Sequence, residues 1–137
     1  MVRKELITAR LERLGDYMKT LKAIRKYSLD NFKNDVFIHA TTERYLQLAI
    51  ECVLDIGNHI ISDRGFRKPD TYAEIFEILA ENKIITKKLL KEIEGMVAFR
   101  NILVHDYLRV DLDKVYDILH KRLTPLEKLG TAFSRLL

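Results

Sequence analysis

Ile7, Leu11, Leu14, Met18 and Leu21 recur at alternating steps of four and three residues, with arginine, lysine and glutamate between them. That spacing places the apolar side chains on one face of an α-helix and predicts a helix over about 3–28 with a single buried stripe. Asp30, Asn31 and Asn34 then supply turn and capping chemistry. The next segment, about 35–62, is patterned differently. Leu46, Leu48, Ala49, Ile50, Val53, Leu54, Ile56, Ile60 and Ile61 cover most of its circumference and leave a narrow polar stripe of Arg44, Gln47, Glu51, Asp55 and Asn58. A helix this apolar is expected to lie centrally or to be covered on its second side by another subunit. Its polar stripe reads first as a solvated face and second as the lining of a cleft.

The clearest loop is SDRGFRKPD, 62–70. Thr71 followed by Glu74 fits a capping box and starts a short helix through about Glu81; Thr86 caps the next one. That helix carries Lys87, Lys88 and Lys91 early, then Leu89, Leu90, Ile93, Met96, Val97 and Phe99, and is expected to run without a break into FRNILVHDY. Asp111 can cap a helix containing Leu112, Val115, Ile118, Leu119 and Leu123. Thr124, Pro125 and Glu127 read as a restart, with a capping hydroxyl, proline at the first helical position and glutamate three residues after the cap. Repeats, low-complexity tracts and long linkers do not occur, so 1–137 is read as a single domain.

Two prolines and five glycines are too few for the turns of a β-rich domain, and the fold class is therefore all-α. The N-terminal stretch mixes charges with apolar residues, unlike a signal peptide, and no run approaches the roughly 20 apolar residues that span a bilayer. A cytoplasmic location is expected. Cys52 lies in the apolar run AIECVLDI and reads as a small buried hydrophobe. Lysine and arginine outnumber aspartate and glutamate by 24 to 20, but the charges are interspersed, so this balance is compatible with a polyanionic partner without establishing one.

Several chemistries are unsupported. There is no glycine-rich phosphate loop, and His39, His59, His105 and His120 are scattered rather than spaced as metal ligands. Glu51 and Asp55, one turn apart, are the nearest approach to a magnesium site, but such pairs are common on helices. FRNILVHDY, 99–107, carries the remaining candidates. On one continuous helix Arg100 and His105 lie about 7.5 Å apart along the axis and about 140° apart around it. They can converge if the helix bends, or if two subunits face a shared cleft. Together such groups suit metal-free RNA cleavage, in which the 2′-hydroxyl attacks the adjacent phosphorus. Histidine moves protons at neutral pH, and the arginine fork holds phosphoryl oxygens. One histidine per chain cannot be acid and base at once, whereas a dimer supplies two. With 11 arginines and 4 histidines, the arginine–histidine spacing arises by chance in about one chain in three; a tyrosine two residues on lowers this to about one in seventy. The competing interpretation is a cationic last helical turn followed by polar residues.

RNILVHDY resembles the signature of the HEPN superfamily, specifically its HepT branch of toxin ribonucleases: arginine, four residues, histidine, any residue, tyrosine, with asparagine directly after the arginine. The segment ERYLQLAIECVLDIGNHII, 43–61, is similar to the second helix of that branch. The resemblance implies an antiparallel helical bundle of HEPN type with about five to six helices. It also implies a metal-independent endoribonuclease with no cofactor, in which Arg100 and His105 are the catalytic pair and Asn101 supports them. Two subunits would flank one cleft, so a homodimer acting on RNA is expected. Tyr107 would be the regulatory site of a type VII toxin–antitoxin pair, receiving AMP from ATP through an MntA-like nucleotidyltransferase antitoxin. The added anionic group would then repel the RNA backbone. The main alternative is a non-catalytic HEPN module that binds a nucleotidyltransferase partner or a nucleotide. A generic RNA-binding bundle is disfavoured, since aromatic and basic residues do not interleave. Asn101 could instead bond the local backbone, Tyr107 could bury its ring, and Lys87, Lys88 and Lys91 could be a solvated face or an RNA-binding rim.

Overall fold

The computed structural model describes residues 3–137, and of Tyr107 the backbone alone. Among the described residues there are eight α-helices and no strand: α1 Lys4–Ile24, α2 Leu29–Asn34, α3 Val36–Arg64, α4 Tyr72–Glu81, α5 Lys87–Glu92, α6 Met96–His105, α7 Leu112–Lys121 and α8 Leu123–Ser134. A 3-10 turn, Tyr107–Arg109, follows α6. The all-α expectation holds. The helix count exceeds the five to six expected because two elements, α2 and α5, are only six residues long.

Local chemistry sets most boundaries. Ser28 Oγ accepts from the Asn31 amide at 3.2 Å and starts α2, where only a turn was expected. Asp35 caps α3, accepting from the Phe37 amide at 2.9 Å. Thr71 Oγ1 accepts from Glu74 N at 3.3 Å, while the Glu74 carboxylate reaches back to the Asp70 amide at 2.6 Å, one residue beyond the usual capping-box partner. Thr86 caps α5, and Asp111 caps α7 through the Asp113 and Lys114 amides. Thr124 does not cap α8: the helix begins at Leu123 after Arg122, with no side-chain hydrogen bond at its cap.

The helix expected to run unbroken into the motif is instead divided at 93–95. Gly95 has φ +87°, a backbone state that residues with a Cβ rarely adopt. Arg122 Nη2 donates to the carbonyls of Glu92 and Glu94, each at 2.8 Å, and so engages backbone groups exposed by the break. The chain leaves α5 and restarts as α6 at this clasp.

α3 is the axis of the bundle, touching α1, α2, α4, α6, α7 and α8. Leu46, Ala49, Ile50, Val53, Ile56 and Ile60 are wholly buried along it, each larger side chain contributing about 1.5–3 kcal/mol relative to exposure. The breadth of its apolar surface is therefore used within one chain and does not call for a second subunit. α4 packs closely on α3 at Gly57, where an added Cβ would stand 2.9 Å from Ile75 Cγ2 and 3.0 Å from Leu79 Cδ1. Cys52 is half-buried, its thiol donates to the Arg10 carbonyl at 3.1 Å, and burial pushes its pKa up to about 11. No described helix is long and apolar enough to cross a membrane.

Candidate active site

α6 carries the motif on its last turns, and its two candidate groups sit in different surroundings. The Arg100 side chain is 16% exposed and lies against α3. Its Nη2 donates to Glu51 Oε1 at 3.2 Å, and its Nη1 donates to Asn101 Oδ1 at 3.0 Å. The guanidinium carbon stands 5.7 Å from the centre of the Tyr72 ring, while Nε is buried without a hydrogen-bond partner among the described residues. Glu51 Oε1 is itself held by Gln47 Nε2 at 2.9 Å. The fork is thus fixed on three sides, by a carboxylate, an amide oxygen and an aromatic face.

His105 closes α6 and is exposed, with no hydrogen bond or ion pair among the described residues. Because α6 is unbroken from Met96 to His105, the bend that could have joined the two groups inside one chain is not present. Arg100 and His105 are not brought into contact. Asn101 is exposed, and its side-chain oxygen is turned to Arg100. The Tyr107 backbone opens the 3-10 turn beyond α6, and its side chain lies outside the described residues. Beside it Leu108 is 86% exposed.

The polar stripe of α3 is not simply solvated. Glu51, Asp55 and Asn58 line a cavity of about 340 Å³ with Tyr72 and Arg100, floored by Leu54 and Ile75. Asp55 is paired with Arg10 of α1, and its second oxygen lies 3.7 Å from His59 Nε2. The two carboxylates considered as a magnesium pair are therefore each engaged by an arginine. Among the described residues no group of three or more His, Cys, Asp or Glu side chains is placed to hold a metal ion. On the other side of Tyr72, a larger groove of about 920 Å³ runs between α4, α5 and α6, with Lys87, Lys91 and Asn101 among its lining residues. Lys88 lies elsewhere, at the junction of α5 with α8.

Sequence reasoning missed Tyr72, and it named Glu51 only within the polar stripe and the carboxylate pair of α3, not as the partner of Arg100. Glu51 meets Arg100 across 49 positions, and Tyr72 enters as the first residue of α4. The polar interruption of an otherwise apolar α3 was the one signal that pointed there.

Comparison with known proteins covers nearly the whole bundle. A family model described as Ribonuclease HepT-like matches residues 11–131. A tRNA nuclease HepT from Aphanizomenon flos-aquae is 36% identical over 111 residues, 81% of this chain and 76% of that protein. An mRNA nuclease HepT from Shewanella oneidensis is 30% identical over 120 residues, 86% of this chain and 90% of that one. Among solved structures, a tri-AMPylated Shewanella oneidensis HEPN toxin in complex with MNT antitoxin superposes with a TM-score of 0.86 at 27% identity, covering 94% of this chain and 96% of that one.

Proposed function

The chain belongs to the Ribonuclease HepT-like family, and from that premise we propose that it is a metal-independent endoribonuclease toxin of a type VII toxin–antitoxin pair, acting on RNA in a cleft shared by two copies. The observation that carries this reading is the contrast on α6: a guanidinium anchored by Glu51 and Asn101, and an exposed histidine one turn and a half further on.

In the reaction, the 2′-oxygen forms a bond to phosphorus as the bond to the 5′-oxygen breaks, leaving a 2′,3′-cyclic phosphate and a free 5′-hydroxyl. One His105 takes the proton of the 2′-hydroxyl, and the second copy's histidine protonates the leaving oxygen. Arg100 stabilises the charge on the phosphoryl oxygens, where a fixed cation is worth most. Asn101 keeps the fork aimed. Two copies are needed because one chain holds one motif histidine and does not bring it to its own arginine. AMP transfer to Tyr107 by an MntA-like nucleotidyltransferase antitoxin using ATP would place a phosphate at the mouth of that cleft and repel the RNA backbone. The AMPylation of the Shewanella toxin supports this part of the reading. A cytoplasmic setting belongs to the same reading, since RNA and ATP are both met there.

Arg100→Ala and His105→Ala are each expected to lower RNA cleavage by about 10²-fold or more while leaving the helical fold intact. Native-rate cleavage by folded His105→Ala in the presence of a chelator would overturn the mechanism. A non-catalytic module would instead leave RNA uncut by the wild-type chain at any concentration.

A further inference from the structure

The cavity between α3, α4 and α6 has no part in the bond-breaking steps, yet Arg100 is one of its walls. At about 340 Å³ it falls at the small end of ligand pockets, room for one planar ring system rather than a whole nucleotide. Tyr72, 56% exposed at the start of α4, offers an aromatic face at its rim. Glu51 and Asp55 each present one carboxylate oxygen, Oε2 and Oδ1, that accepts no hydrogen bond among the described residues. Asn58, exposed beside them, adds an amide that can donate or accept. The carboxylate charges are met by Arg100 and Arg10, so the pocket does not set an uncompensated negative field against an RNA backbone.

We propose that this cavity is a base-recognition subsite that seats a guanine next to the scissile phosphate. The inference rests on the ribonuclease reading above. Single-stranded RNA is read by splaying a base onto an aromatic ring and bonding its Watson–Crick edge. Two acceptors not taken by a hydrogen bond, the Asp55 one 3.7 Å from His59 Nε2, and one amide select among the bases. Guanine alone presents two neighbouring donors, N1–H and N2–H₂, together with an acceptor, O6, for the Asn58 amide. Adenine, cytosine and uracil each offer a single donor on that edge, and would leave an acceptor of the pocket unpaired. Arg100, in the same wall, joins the bound base to the phosphate being cut.

The test begins with wild-type protein and a random-sequence RNA pool, sequencing the cut ends. Guanosine is expected to be enriched on one side of the cut. In matched oligonucleotides, replacing that guanosine by inosine, which lacks the N2 amine, is expected to slow cleavage about tenfold. Asn58→Ala removes the partner of O6, which guanosine and inosine share, and is expected to slow both substrates alike. Asp55→Asn and Asp55→Ala, each checked for folding by thermal melting, are expected to bring the guanosine-to-inosine rate ratio toward one. Cleavage without base preference, or a ratio unchanged in both Asp55 variants, overturns the subsite while leaving the ribonuclease intact. No cleavage of any RNA by the wild type overturns the ribonuclease reading itself, and the subsite with it.

Discussion

Arg100 and His105 stand five residues apart on one helix and could hardly be held more differently. The arginine is embedded against α3, its donors shared between Glu51 and Asn101 and its face beside Tyr72. The histidine is exposed at the helix end, without a partner among the described residues. A group that stabilises charge gains from being fixed before substrate arrives, because its orientation then costs nothing during the reaction. A group that exchanges protons needs access to the reacting oxygens, which under the proposed function lie across a boundary between copies. On that proposal one half of the site is completed by folding and the other by association.

The sharpest way to break that contrast is to compare stability with activity. Arg100→Lys keeps the charge but cannot span Glu51 and Asn101 as a planar fork, so cleavage should fall about tenfold or more in a chain that stays folded. Arg100→Ala should in addition lower unfolding free energy by about 1–2 kcal/mol, since it strands a partly buried carboxylate, while His105→Ala should stay within about 0.5 kcal/mol. Urea titrations of the two variants measure the difference; equal losses would mean that Arg100 is not anchored as described. A smaller effect comes from the start of the helix. Gly95→Ala, at φ +87°, should cost about 1–2 kcal/mol and reduce cleavage by shifting α6, with the same titrations and an RNA assay as the readout.

The smallest effect is expected far from α6, as a control. Arg67 donates to both Glu81 oxygens at 3.0 and 2.8 Å and holds that carboxyl below its ordinary value. A depressed folded-state pKa stabilises above the unfolded value and is lost as pH falls through the folded one. Arg67→Ala should therefore lower Tm slightly at neutral pH and not at all in acid, a difference kept small because the pair lies at the solvent-exposed surface. RNA cleavage should not change.

Much of this was legible along the chain. Thr71, Thr86 and Asp111 mark helix starts because capping is a property of a few consecutive residues, and the structure uses each of them. The break at Gly95 was not legible, since a lone glycine inside an apolar-periodic run is tolerated in a helix as readily as it ends one. What decides it here is Arg122, supplied from the α7–α8 junction. The Thr124–Pro125 restart was misplaced for a related reason: packing of Leu123 into the core draws the helix start ahead of the residue best suited to cap it. In the site, Arg100 and His105 could be singled out by residue type and Asn101 by the resemblance of RNILVHDY to the HEPN signature, but Glu51 and Tyr72 are joined to Arg100 only by the tertiary fold. A polar stripe on α3 shows that something faces it without showing what.

The Arg122 clasp also has a meaning in time. A ribosome emits α5 and α6 before the arginine that secures the turn between them. At about 5–20 residues per second, the chain carries its completed motif for about one to three seconds before that arginine is added. During synthesis the helix bearing Arg100 and His105 therefore has no fixed beginning. The turn that precedes the motif is set not when its own residues are made but when Arg122, added later, reaches it.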